Sequence, residues 1–378
     1  MRRDEVKSLV EAHGPEAFTY KLVDLLGQGK VKPEQVSIRG LYEAMVGCPE
    51  DTIHGIHAGH NRLGYIMPRS RKEEVGSTMF PVASGALIAA KVIQGYEAVG
   101  YIAENLVEFM DSKHKVETMV GFTALDGPKE VAEGKDYEDS DIGEKFVTMQ
   151  AAKRGRLIAI TEEAILFDQT GQLLLRAQRL GERVRLDMEK RILKAVTGND
   201  GQAYKPSNAA TDIYSSGNKN QIAANALVDW QNVDACLKQT AKQEDEKAEI
   251  IVVNTPQLLV PRALLGTALR VTSATQIRQH DPVVAPQVAT YSPSPFSGMF
   301  TPLSSPLMDS LSGTGATDWF MGDFKKAFIS QRIYPLQTLA AIAGNPDEFK
   351  KDIKYLYKVR EFGGVACIDH RYVYRNQA

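Results

Sequence analysis

Long apolar runs, cysteine and excess charge of either sign are all scarce in this chain. No uncharged apolar stretch approaches the roughly 20 residues that span a bilayer, so no membrane-embedded segment is expected. Three cysteines in 378 residues, Cys48, Cys236 and Cys367, are odd in number and far apart, which suits a reducing compartment. The formal net charge of −2 supplies no global basic field for nucleic acid, although a local basic face can still serve. The opening Met1-Arg-Arg-Asp-Glu-Val-Lys-Ser mixes charge signs and leads into no apolar run, so no secretory signal is expected.

Catalytic motifs are missing as well. There is no Walker-type Gly-Lys-Ser/Thr, no dinucleotide-binding glycine fingerprint and no serine held between glycines. Gly313-Thr-Gly315 is a lone short match in loop sequence. The strongest enzyme-like signal is His54, His57 and His60, spaced by three, with Cys48 and Asp51 nearby. Three imidazoles on one side of a helix would suit zinc, but Gly55 and Gly59 weaken that helix, and no His-Glu-x-x-His accompanies them. A histidine-bearing loop or interface is the preferred reading. No catalytic residue, metal site or cofactor is expected.

What is present begins with a mostly helical region over residues 1–75. Glu5–Glu11 and Phe18–Leu26 have helical apolar spacing, broken at Gly14-Pro15 and again at Gly27-Gln-Gly29. Met67–Ser77 is polar and reads as a linker. Phe80–Met110 reads as helix anchored by Tyr96, Tyr101, Leu106 and Phe109, and Thr118–Ala124 reads as strand. Between Pro128 and Glu144 the chain then turns acidic: Glu130, Glu133, Asp136, Glu138, Asp139, Asp141 and Glu144 stand against two lysines, a net −5. Only Val131, Ala132, Tyr137 and Ile142 there are apolar, and they form no continuous face. Fully extended, such a segment reaches on the order of 55 Å. Charge-rich segments are often solvated. The strands and basic helix that follow favour instead an arm that lies on another copy of the same chain.

Phe146–Gln150 and Arg156–Ile160 read as strands flanking a turn at Lys153-Arg-Gly155, and Thr161-Glu-Glu163 as the capped start of a short helix. One long helix follows over Gln172–Thr197. Leu173, Ala177, Leu180, Val184, Met188, Ile192 and Ala195 recur every three or four residues, with Gly198 as terminator. At 1.5 Å per residue it is about 39 Å long. Its remaining face reads as basic: Arg176, Arg179, Arg183, Arg185, Lys190, Arg191 and Lys194 against Glu182, Asp187 and Glu189, a net +4. These cations serve as surface decoration, as contacts to a neighbour, or as groups facing DNA phosphates. Beyond lie a polar loop at Asn199–Asn220, a helix at Ala224–Lys238, a buried-type strand at Glu249–Val253, and a helix at Arg262–Arg270 introduced by Pro256 and Pro261. Residues 286–316 read as loops and short strands. Ile353, Tyr355, Tyr357 and Val359, then Gly363-Gly364, then Val365, Cys367 and Tyr372-Val-Tyr374 read as an antiparallel hairpin. Trp230 and Trp319 read as core aromatics.

This order of features, over roughly Phe80–Asn376, resembles the major capsid proteins of tailed bacteriophages, most like the Mu-like major head subunit group. The resemblance is carried by the arm before Met119, the acidic hairpin ending at Arg156–Ile165, the long helix Gln172–Thr197, Ile250–Leu264, Trp319-Phe-Met-Gly322 and Phe349–Val373. It implies an α+β fold with an N-terminal arm, an extended hairpin loop reaching over a neighbour, a peripheral domain crossed by a spine helix, and an axial domain. The expected boundaries are 1–75 for an N-terminal helical extension, 76–126 for the arm, 127–158 for the extended loop, 159–239 for the peripheral domain with its spine, 240–345 for the axial domain, and 346–378 for the last peripheral strands. Residues 1–75 fall outside the resemblance; relatives can lose such an extension by cleavage, here near Ser70–Glu73.

The implied function is a structural one. Hexamers and pentamers of the chain would close an icosahedral shell around double-stranded DNA, assembled in the host bacterial cytoplasm and ending in the virion. Expected inter-subunit contacts are Glu130, Glu133, Asp136, Glu138, Asp139 and Asp141 with Arg179, Arg183 and Arg191. Portal, scaffold and decoration proteins are further implied partners, DNA is contacted non-specifically, and no membrane is involved. Some relatives join a loop lysine to an asparagine; Lys350–Tyr355 holds no asparagine, so that bond is not expected. The alternatives are an encapsulin-like nanocompartment shell and a metal-dependent enzyme built on the histidines.

Overall fold

A computed structural model describes residues 3–47, 72–122, 144–245, 249–280, 289–294, 296–311, 317–341 and 353–378. The chain forms two compact units, each assembled from separated stretches. The first comprises Met1–Gly100, Lys153–Asp187 and Tyr334–Phe362, the second Tyr101–Ala152, Met188–Ile333 and Gly363–Ala378.

The first unit is built on helices α1 (Arg3–Gly27), α2 (Ile38–Met45), α3 (Lys72–Glu97), α4 (Glu162–Leu166) and the greater part of α5 (Thr170–Val196). Gly14, at φ 77°, breaks the helical dihedrals of α1 just before Pro15, where the sequence signals the break. Ser37 caps α2 by accepting the Gly40 N–H, and Thr161 caps α4 by accepting the Ala164 N–H. Val6, Phe18 and Leu22 of α1 share one core with Leu41 of α2, Phe80, Leu87 and Val92 of α3, and Leu173 and Ala177 of α5. Residues 72–77, read from sequence as linker, are the first turns of α3. That helix ends at Glu97 rather than Met110; Phe109 lies in strand β1 (Glu108–Asp111), 37% exposed.

The second unit contains a five-stranded sheet of order β5-β13-β10-β6-β9: Gln221–Ile222, Val373–Asn376, Trp319–Gly322, Gln257–Pro261 and Thr301–Ser305. Strand β10 is buried throughout, which explains its unbroken apolar reading. Phe320 joins a cluster with Ile192 and Val196 of α5, while Trp319 and Met321 join one with helices α6 (Trp230–Thr240) and α7 (Leu265–Ser273) on the other face. Trp230 is half-buried. Helix α6 starts at Trp230 and not Ala224 because Asp229 and Asn232 form a capping box there. The expected strand at Glu249–Val253 does not form. Ile250 and Val252 are 71% and 92% exposed, and β6, with β10 and β9 on either side, is the buried strand.

The expected C-terminal hairpin is also corrected. Strand β12 (Ile353–Cys367) passes straight through Gly363-Gly364, and β13 belongs to the other sheet. A Cβ on Gly363 would stand 2.7 Å from the Gln331 carbonyl oxygen, and one on Gly364 2.6 Å from that of Gln150. The glycines admit neighbouring backbone rather than turn the chain. Gly155 does the same beside the Val359 carbonyl, so Lys153–Gly155 is strand within β4 (Ala152–Thr161).

Candidate functional site

Strands β2 (Val116–Phe122) and β3 (Glu144–Gln150) form a two-stranded antiparallel ribbon in unbroken register, from Val116↔Gln150 to Phe122↔Glu144. Alternation sends Val147 and Met149 of β3 into the core, at 3% and 1% exposure, and leaves Val116 and Val120 of β2 outside at 51% and 59%. The base of the ribbon is fastened by Gln331, which donates through Nε2 to Ser112 Oγ (3.2 Å) and to the His114 carbonyl (2.7 Å). Its far end opens, at Phe122 and Glu144, into the acidic segment. Glu130, Glu133, Asp136, Glu138, Asp139 and Asp141 lie outside the described residues, as do His54, His57 and His60.

Helix α5 carries the other half of the expected contact set. Arg176, Arg179 and Arg183 recur at three and four residues and are exposed, so they form one stripe. Asp187 continues it and meets Arg154 Nε at 3.5 Å. Lys190 and Lys194 keep the same spacing and are exposed. Arg191, off this stripe, is half-buried. Arg185 departs from the sequence reading: it is buried, donates to Tyr96 Oη at 3.3 Å, and stacks 5.0 Å from that ring's centroid. Glu189 is buried too and accepts the Ala103 N–H at 2.9 Å. The basic face is therefore narrower than the composition of the helix suggests. Gly198, at φ 75°, ends α5 as expected.

A cleft of about 510 Å³ in the first unit is lined by Val36, Leu174 and Leu175 together with the polar Glu34, Ser37, Lys91, Asp168, Thr170 and Gln178. Its groups are already engaged with one another. Lys91 pairs with Glu34 and donates to Gln94 Oε1 (2.7 Å), while Ser37 donates to Asp168 (2.9 Å) and Thr170 Oγ1 accepts the Ile38 N–H (2.9 Å). This set ties the stretch between α1 and α2 to α3 and α5. The Lys91 hydrogen bond holds the Glu34 carboxyl below its usual value.

The two cysteines among the described residues are poor nucleophiles. Burial pushes the Cys236 thiol up to about 12 and Cys367 well above its usual value, so neither is a ready thiolate. Among the described residues no group of His, Cys, Asp or Glu is placed to hold a metal ion. No helix among them is long and apolar enough to cross a membrane. The sequence reading did not single out Val116, Val120 or Gln331. The alternation of Val116, Thr118 and Val120 was the available signal for the first two; Gln331 carried none.

A family model described as phage capsid protein matches residues 145–376, more than half of the chain. That description names no subgroup. Among solved structures, one from Mycobacterium phage Bobi is similar at 12% identity and a TM-score of 0.48, over 74% of this chain and 90% of that one. A second, from Mycobacterium phage Adephagia, is similar at 14% identity and 0.47, over 74% and 90%. The Cyanophage Pam1 capsid asymmetric unit is similar at 12% and 0.42, over 71% and 87%. Among curated proteins no sequence matches.

Proposed function

Because this chain belongs to the phage capsid protein family, we propose that its copies close as hexamers and pentamers into an icosahedral head around double-stranded DNA, held by the acidic segment of one copy on the α5 stripe of the next. Forming the capsid shell of the virion is the family's role, and catalysis has no part in this proposal. The observation that carries the contact is the Phe122↔Glu144 pairing. The acidic segment is joined to these two paired residues, at one end of a ribbon whose other end is fixed in the fold. The sequence charge of −5 over Pro128–Glu144 is complementary to exposed Arg176, Arg179 and Arg183. One exposed ion pair contributes only about 0–1 kcal/mol. Repetition by symmetry turns many such pairs into a salt-sensitive bias toward assembly.

On this reading the extended loop occupies about 127–158, the spine 172–197 and the axial domain about 240–345. Assembly takes place in the host cytoplasm with portal, scaffold and decoration proteins. The test is microscopy of the expressed chain beside the triple variant Glu133→Lys, Asp136→Lys, Asp139→Lys. The parent should give shells, and the variant folded subunits without them. Normal shells from the variant would remove the electrostatic contact, and a parent that stays monomeric under all ionic conditions would remove shell formation. Nucleic acid, not cargo enzyme, is the expected content of particles from infected cells.

A further inference from the structure

Among the described residues, strand β2 is hydrogen-bonded along one edge only. Its partner β3 is itself covered on the far side by residues 205–208. Val147 bridges Pro206, the Thr148 N–H donates to the Lys205 carbonyl (3.2 Å), and the Ser207 N–H donates to the Phe146 carbonyl (3.0 Å). Beyond β2 the sheet stops, and among the described residues no backbone group bonds its outer edge. Soluble proteins blunt such edges with lysine, proline or a bulge. Val116–Phe122 contains neither residue and pairs with β3 without a bulge over its whole length. An open edge beside two exposed valines is a template for one more strand.

We propose that β2 of a second copy takes this edge, antiparallel, about a two-fold axis through Thr118. The proposal rests on the self-assembly argued above and adds the edge and the register. A two-fold axis normal to the sheet keeps each side chain on its own face. Centred on Thr118, it sets Val116 against the partner's Val120 twice, and Thr118 against the partner's Thr118, on the exposed face. Centring on Glu117 would oppose two carboxylates, which is destabilising. Centring on Met119 would separate the valines from each other. Charge selects the antiparallel direction. Lys113 and Lys115 precede β2 and Glu144 stands opposite its last residue, Phe122, so the Glu144 end of each ribbon runs toward its partner's lysines. The product is a four-stranded β3-β2-β2-β3 sheet, and sheets of more than two strands escape the marginal stability of a lone ribbon.

Cysteine cross-linking in the full chain reads the register directly. Cys48→Ser supplies the background, since Cys236 and Cys367 are buried. Directly opposed residues of antiparallel strands have Cα atoms about 4.5–5.5 Å apart, within disulfide range. Thr118→Cys should therefore run as a disulfide-linked dimer after mild oxidation. Val116→Cys alone should not, because its own copy lies four residues away, about 13 Å. Val120→Cys alone should behave likewise, while the two variants mixed during assembly should cross-link to each other. A Thr118→Cys chain that stays monomeric on denaturing gels, or Val116→Cys chains that link to themselves as readily as to Val120→Cys chains, would overturn the pairing. Val116→Lys with Val120→Lys should abolish the dimer and leave the melting curve of the subunit unchanged. Microscopy of the same samples separates the two readings. Particles without the cross-link remove this pairing alone, and cross-linked dimers that never form particles remove the shell alone.

Discussion

Gly95 of α3 and Gly181 of α5 lie where the two helices cross, with backbone against backbone. A Cβ on Gly95 would overlap the Gln178 carbonyl, and one on Gly181 would overlap the Val92 carbonyl. The nearest atoms on both sides are backbone, so the contact can relax only by moving a helix axis. Gly181→Ala should destabilise the subunit by about 1–3 kcal/mol, the usual cost of overpacking. Gly171→Ala, in the same helix with open space around it, should stabilise by about 0.4–1 kcal/mol. Urea denaturation of the two variants checks the pair.

The Glu34–Lys91 contact predicts an acid-sensitive fastening of the α1–α2 stretch. Lys91 lowers the folded pKa of Glu34 below its ordinary 4.5. Its contribution is therefore complete above that value and lost as pH falls through the depressed one. The urea midpoint of Glu34→Gln should lie below that of the parent at pH 7, and the gap should narrow as the pH is lowered through the depressed value. A gap independent of pH would mean that ionisation of Glu34 is not what fastens the stretch.

Asn376 should prove indispensable to the second unit. It is fully buried, accepts from Asn225 Nδ2 at 2.8 Å, and donates to Cys236 Sγ at 3.4 Å. Asn376→Ala leaves buried polar groups without this partner, which costs about 1–3 kcal/mol. Cys236 should resist an exposed-thiol reagent in the parent and react faster in the variant. Equal labelling rates would place the thiol's protection elsewhere.

Charge exchange tests the proposed loop-to-helix contact more sharply than charge removal. Arg179→Glu with Arg183→Glu should impair shell formation by itself. Combined with Glu133→Lys, Asp136→Lys and Asp139→Lys in one chain, it should recover part of the yield, because the pairing is restored with its signs exchanged. Raising salt should lower the parent's yield, since exposed pairs are screened. Recovery that fails at every ionic strength would separate the two sets of residues.

Several elements were legible because their causes are local. The stripe from Leu173 to Ala195 needs only a 3.6-residue period, and α5 runs from Thr170 to Val196 with Gly198 at its end. Thr161 and the Gly14-Pro15 break are equally local. Arg185 was misread because composition cannot distinguish a solvated arginine from one stacked on Tyr96. Val252 was misread because a β-branched run looks the same whether or not a partner strand reaches it.

By itself the sequence determined where the long helix begins and ends to within two residues and where acidic residues collect along the chain, while its resemblance to capsid proteins pointed to the family. The first two depend on residue types at fixed spacing along one chain. Only the tertiary structure decided that Gly155, Gly363 and Gly364 admit a neighbouring backbone instead of turning the chain. It also decided that β6 rather than Glu249–Val253 enters the sheet, and that among the described residues no strand pairs with the outer edge of β2. Strand pairing joins residues far apart in sequence, and the neighbour that makes a glycine necessary or a valine exposed is not written beside it.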